Sequence, residues 1–286
     1  RFMNLFISNA GLIVIGCGMT LVMITGGIDI SVGSVTALVC MSAAYAMENK
    51  GMSAVAAVVI SLLIGTLFGI VQGYLVTYLE IQPFIVTLAG MFFGRGLTAV
   101  ISTDMIAIQN KTFLKWANYR INLPFGTYNR RGIFIPAYIY PTVIIALAVV
   151  ILITIMLKFT KFGRSLYAIG GNQQSAVMMG LNVKRTKMKA YVLDGFLAGL
   201  GGFLFCLNSC AGFVEQAKGG TLLSGGVGTV IGTLFGVLIN GTISSLITTQ
   251  GTLSSWWVRI TLSALLCFFI VLQAVIAAVK RKKKKK

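Results

Sequence analysis

Side chains able to do chemistry are scarce in this 286-residue chain: six Asp plus Glu, no His and five Cys. An acid/base pair, a His-based triad and a His-zinc site all need groups that are missing or far apart in sequence. Cys17, Cys40, Cys206, Cys210 and Cys267 all lie inside apolar runs without CxxC spacing, so they read as small hydrophobes. A membrane-embedded enzyme acting on lipid-linked sugars would need clustered acids or His at the interface, and is excluded on the same ground. If catalysis drives this protein's work, a partner supplies it.

Four features remain that could carry function by position. The first is Thr25-Gly26-Gly27-Ile28-Asp29-Ile30-Ser31-Val32-Gly33-Ser34, which interrupts an apolar run. Gly-Gly lets the backbone leave helical geometry, and Asp and Ser can cap the helix that restarts. A carboxylate near membrane depth is costly unless it faces a cavity, a partner or a helix start. Asp29 therefore has two readings. It lines a translocation pathway with Gly26, Gly27, Ser31 and Gly33, or it only caps the helix over 33–47.

The second, Gly219 to Val230, echoes the first: Val227-Gly228-Thr229-Val230 matches Val32-Gly33-Ser34-Val35. Two Gly-broken apolar segments in two halves point to a transporter's central pathway, which adds Ser224, Gly225, Gly226 and Gly228 to it. A chance echo among 33 Gly is the competing reading. The third is the basic loop 158–189. There Asn172 as N-cap and Gly180 beyond the C-terminus predict a two-turn helix over Gln173 to Met179. So short a helix is stabilised by docking. Its Ala176, Val177 and Met179 would enter a groove on a partner, or the helix lies on the membrane surface. The fourth is Asp194, beside the pathway or paired with the basic run Lys184 to Lys189.

The elements that must position these residues are membrane spans. Apolar residues make up 57% of the chain and charged residues 10%, against about 25% in soluble domains. Of 24 Lys plus Arg, seven fall in 158–189 and seven in 280–286, with no acid in either stretch and a long apolar run beside each. That is the positive-inside pattern of a membrane protein, not a nucleic-acid surface. Spans are predicted at 5–25, 53–79, 84–102, 136–157, 190–213, 227–249 and 256–279, with 33–47 too short to cross alone. Gly195, Gly199 and Gly202, with Gly232, Gly236 and Gly241, mark close helix packing. With 158–189 cytoplasmic, the turn at Glu80 to Pro83 and the Gly26 to Gly33 break lie inside, and 48–52 and 103–135 lie outside. In the outer loop, Trp116, Tyr119, Tyr128, Tyr138 and Tyr140 suit an interfacial belt. Three spans then separate two basic segments that should share the cytoplasmic side, so a piece is re-entrant or is missing between 213 and 227.

Taken together, these motifs resemble the permease subunits of ATP-binding-cassette importers for ribose, xylose and galactose. Thr25 to Ser34 is similar to that family's TGGIDLSVGS stretch, Phe162 to Gly180 to its FGRxxYAIGGN segment, and Gly219 to Gly232 to its GGTxLSGGxGxxxG stretch. Pro83 to Phe93, Gly219 to Gly236 and Gly251 to Trp257 are most similar to the galactofuranose importer's permease. The resemblance implies an all-α, polytopic bundle in the bacterial inner membrane, a single permease domain over 1–286 with about eight membrane segments against about ten in the family. It implies a second permease subunit, a cytoplasmic ATPase that binds the ATP, a periplasmic sugar-binding protein and surrounding lipid, with no cofactor or metal in this chain and no nucleic-acid partner. Gly170, Gly171, Asn172, Gln173, Ala176, Val177, Met179 and Gly180 would form the ATPase-coupling segment of 158–189. No Walker-type loop is present, as suits a subunit that moves without hydrolysing ATP. The family's pattern also has a helix before residue 1 and a further stretch between Gly212 and Gly219. Both are absent here, which opens the reading of an impaired homologue or a fragment. A branched-chain amino acid permease, with the same Gly-rich logic, is the other transport reading.

Overall fold

The computed structural model describes residues 2–128, 134–212 and 229–249. The chain forms two units, Arg1–Val237 and Leu238–Lys286. Of the second, only 238–249 are described, as the end of a helix. Ten helices are present among the described residues: α1 (Phe2–Ile24), α2 (Val32–Glu48), α3 (Ala54–Thr77), α4 (Pro83–Ile101), α5 (Lys111–Ala117), α6 (Pro141–Phe159), α7 (Lys161–Gly171), α8 (Gln173–Met178), α9 (Val183–Ser209) and α10 (Val230–Thr249). Five of these (α1, α3, α4, α6 and α9) are long and apolar enough to cross a membrane, and α2 and α10 supply shorter apolar helices. The predicted span 256–279, the tail 280–286 and the segment 213–228, where the odd span count arises, lie outside the described residues.

The packing of α3 is that of a membrane helix, with small residues inside and large apolar ones outside. On α3 the buried stripe runs Ala57, Ser61, Gly65, Gly69 and Gly73, one residue per turn, while Val55, Val59, Leu63, Leu67 and Val71 are exposed. In water that arrangement would leave a large apolar patch; in lipid it lets backbones approach while the outer face meets acyl chains. The stripe meets α9 at Gly195 and Gly199. A Cβ at Gly65 would strike the Gly195 carbonyl oxygen, and one at Gly199 would come within 2.5 Å of the Ser61 carbonyl oxygen. Gly202, also on α9, packs on Val39 of α2. The predicted close packing of Gly195, Gly199 and Gly202 is thereby observed.

Three features depart from expectation. The outer loop is not purely irregular or helical. It holds an antiparallel pair, β2 (Ile121–Tyr128) with β3 (Phe134–Ile139), and β1 (Ile106–Ala107) pairs with β4 (Ala211–Gly212). β3 consumes the start of the predicted span 136–157, so α6 begins at Pro141, whose fixed φ and missing N–H suit a first turn. Residues 161–171, read from sequence as loop, form α7, joined to α6 by Thr160, whose hydroxyl oxygen accepts the Gly163 N–H at 3.1 Å.

Candidate functional site

The Gly-broken junction between α1 and α2 is built from its own local bonds. The Gly27 N–H donates to Val22 O (3.2 Å) and the Gly26 N–H to Met23 O (3.0 Å), while Gly26 has φ +78°. These two bonds form the Schellman ending, and its left-handed residue favours Gly. Gly27 is pinched: a Cβ there would lie 2.8 Å from Val22 and 2.9 Å from the Tyr191 hydroxyl of α9.

After the turn the chain runs back into the interior. Asp29 and Ser31 are buried, and one Asp29 carboxylate oxygen accepts both the Ser31 N–H (2.7 Å) and the Ser31 hydroxyl (2.6 Å). The capping reading holds only in part: Asp29 secures the Ser31 N–H in an Asx turn, but the N-cap of α2 is Ser31 itself, which makes no side-chain cap bond. That reading is also incomplete, because the Ser31 hydroxyl accepts from Gln72 Nε2 of α3 at 2.8 Å. Gln72 is itself buried, and Gly90 of α4 makes room for it, since a Cβ at Gly90 would collide with Gln72 Nε2. Gly33 is buried in the first turn of α2. Gly26, Gly27, Asp29, Ser31 and Gly33 are thus one local structure walled by α3, α4 and α9. Asp194 does not pair with the Lys184 to Lys189 run. Lys184 pairs with Glu80 (2.9 Å), whereas Asp194 is buried against Gly18 of α1. Ser224, Gly225, Gly226 and Gly228 lie outside the described residues.

The basic loop folds as predicted around α8, with one correction. Asn172 Oδ1 accepts the Ser175 N–H (2.9 Å), and Gly180 adopts φ +79° just past the helix end. Ala176 points inward and packs with Ile169, Leu181 and Val183, so it is not available to a partner. The helix presents Val177, Met178 and Met179 instead, of which Met178 is 83% exposed. Gln173 is held by the Lys187 ammonium at 2.7 Å. Gly170, at the end of α7, lies directly against the Ile24 carbonyl that closes α1, and Gly171 has open space around it.

Contacts across the bundle order its turns. Glu80 with Lys184, and Gly170 with Ile24, place the α3–α4 turn, the break and the basic loop on one side. Glu48 accepts the N–H groups of Gln109 and Asn110 (2.8 and 3.0 Å), which places the end of α2 and the loop after α4 on the other. This is the arrangement the charge pattern predicts. Gln72 and Tyr191 were missed in the sequence. Gln72 left a trace as the one amide of the predicted span 53–79, between Gly69 and Gly73; Tyr191 left none.

Residues 2–271 match the family described as the branched-chain amino acid transport system / permease component. The chain is 39% identical over 282 residues (94% of this chain, 82% of the relative) to the inner membrane ABC transporter permease protein YjfF of Escherichia coli (strain K12). It is 34% identical to the fructose import permease protein FruG of Bifidobacterium longum (96% and 83% covered). It is 38% identical to the ribose import permease protein RbsC of Bacillus subtilis (81% and 71% covered). No solved structure matches.

Proposed function

Because the chain belongs to this permease-component family and its relatives include ribose and fructose import permeases, we propose that it imports a monosaccharide handed over by a periplasmic binding protein. The chain is a sugar ABC importer permease of the ribose, fructose and YjfF type, a multi-pass helical protein of the inner membrane and not itself an enzyme. Galactofuranose is the sugar that the sequence resemblance favours. ATP is held and hydrolysed by a separate cytoplasmic subunit, and two permease subunits enclose the pathway.

One observation carries this reading. The basic segment carries a helix tip of exposed Val177, Met178 and Met179, and the same segment abuts the α1–α2 break through Gly170 and Ile24. A partner seated on the tip can therefore act on the buried junction through packed backbone, without chemistry in this chain. The impaired-homologue reading rests on residues 213–228, outside the described part. The amino acid reading is not favoured, because the relatives named above for a substrate are sugar importers.

The test is reconstitution of the permease with its ATPase and binding protein, followed by uptake of labelled monosaccharides, galactofuranose included, and of leucine. ATP-dependent uptake of one sugar and none of leucine is expected. Leucine uptake, or undiminished sugar uptake without the ATPase, overturns the reading.

A further inference from the structure

We propose that Gln72 is a positioning residue for transport: it latches the α1–α2 break to α3 through Ser31, so that the junction moves only when this link opens. The inference rests on the transport reading above and adds a residue that the motif resemblance does not include.

The donor order leaves little freedom. The Ser31 hydroxyl has one proton and gives it to Asp29 Oδ1, at 2.6 Å. That hydroxyl can then only accept from Gln72, which directs the amide nitrogen, 2.8 Å away, toward it. The Ser31 N–H is committed to the same Asp29 oxygen. Ser34 Oγ donates to Ser31 O at 2.6 Å, tying the first turn of α2 to the same residue. This Gln72–Ser31–Asp29 chain links α3 to the break by side-chain hydrogen bonds, beside the apolar packing of Ile64 and Phe68 on the cluster that holds Val32.

The surroundings hold Gln72 in this role. Its neighbours Gly69 and Gly73 are packed on α9, at the Tyr191 carbonyl oxygen and at Met188, so its backbone cannot shift without opening that seam. Gly90 of α4 closes the far side of the amide. On the other flank of the break Gly170 presses on Ile24. The break thus lies between a fixed hydrogen bond on α3 and the cytoplasmic segment. A push through α7 has to break the Gln72 link or leave the junction in place.

The experiment uses the permease assembled with its ATPase in nanodiscs, with the Ile28→Cys substitution as a probe. Ile28 is 41% exposed beside the buried Asp29. Labelling by a membrane-impermeant maleimide, corrected for the parent chain, reads the position of the break, and sugar carried per ATP reads coupling. Gln72→Leu removes the donor. Gly90→Ala displaces the flexible end of Gln72 and leaves the donor in the chain. Losing one buried link predicts about fivefold faster labelling without ATP in both variants, and a similar fall in sugar per ATP. Gln72→Leu combined with Ser31→Ala should be no worse than Ser31→Ala alone, because that change already removes the hydroxyl to which Gln72 donates. Melting within about 3 °C of the parent shows that the bundle is intact. Labelling at the parent rate in both Gln72→Leu and Gly90→Ala overturns the proposal. If the parent assembly hydrolyses ATP and carries no sugar, the transport reading fails while labelling still decides the latch.

Discussion

Gly170 of α7 packs on the carbonyl oxygen of Ile24, the last residue of α1, so closely that any Cβ at residue 170 would overlap it. This contact joins the basic segment to the broken helix without an intervening side chain. Gly171 next to it has nothing within 4 Å of where its Cβ would stand. The two glycines therefore separate in a way their adjacency conceals. Gly170→Ala is expected to disturb the α1–α7 joint, at about 1–3 kcal/mol of overpacking, and to leave ATP hydrolysis running with reduced sugar uptake. Gly171→Ala is expected to match the parent. Uptake and ATPase rates measured on the same proteoliposomes check this, and equal behaviour of the two variants refutes it.

The α3–α9 seam offers a stability test independent of transport. Gly65→Ala and Gly195→Ala each place a methyl group against the partner helix backbone, whereas Gly96 of α4 has open space. Each seam variant should cost about 1–3 kcal/mol, and Gly96→Ala should be neutral or slightly stabilising, since Ala is the better helix former. Thermal unfolding in detergent, followed by monodispersity, gives the comparison.

The spans were legible because the bilayer demands long apolar runs whatever they pack against, and α3 and α4 begin and end within a few residues of expectation. The α8 helix was legible because Asn172 and Gly180 mark its ends by local chemistry. α7 was hidden for the opposite reason. Gly163, Gly170 and Gly171 are poor helix formers, and Gly163 and Gly170 are required by backbone neighbours, Leu157 and Ile24, that no local pattern displays. The inward turn of Ala176 and the Gln72–Ser31 bond also depend on tertiary neighbours. Of the two readings of Asp194, charge pairing failed because Lys184, at the head of the basic run nearest in sequence, pairs with Glu80 instead.

The Glu80–Lys184 pair ties the α3–α4 turn to the start of α9, and both side chains are largely exposed. The hydrogen bond and charge of Lys184 hold the Glu80 carboxyl below its ordinary value. A lowered acid contributes stability above its unfolded pKa and loses it as pH falls through the folded one, so the link should weaken only in acid. It should also fade with salt, as exposed pairs do. Glu80→Gln is expected to change thermal stability little at pH 7 in high salt, with its largest effect at low salt. A Cys at residue 80 or 184 should react with impermeant maleimide only from the cytoplasmic face.

The exposed tip of α8 yields the most direct prediction about a partner. Val177, Met178 and Met179 stand out from the segment while Ala176 anchors it to Ile169 and Val183. Met side chains in such a position adapt to an apolar groove. Met178→Glu should therefore weaken co-purification of the ATPase by about tenfold or more, the loss of one interface anchor, and leave the melting of the isolated permease unchanged. Ala176→Glu should do the reverse in order of events. It buries a charge in the α7–α8–α9 joint, so the permease melts lower first and loses the ATPase as a consequence. Pull-down yield and melting temperature, measured together on both variants, separate the two residues. An ATPase retained by Met178→Glu at full yield would place the docking surface elsewhere on the basic segment.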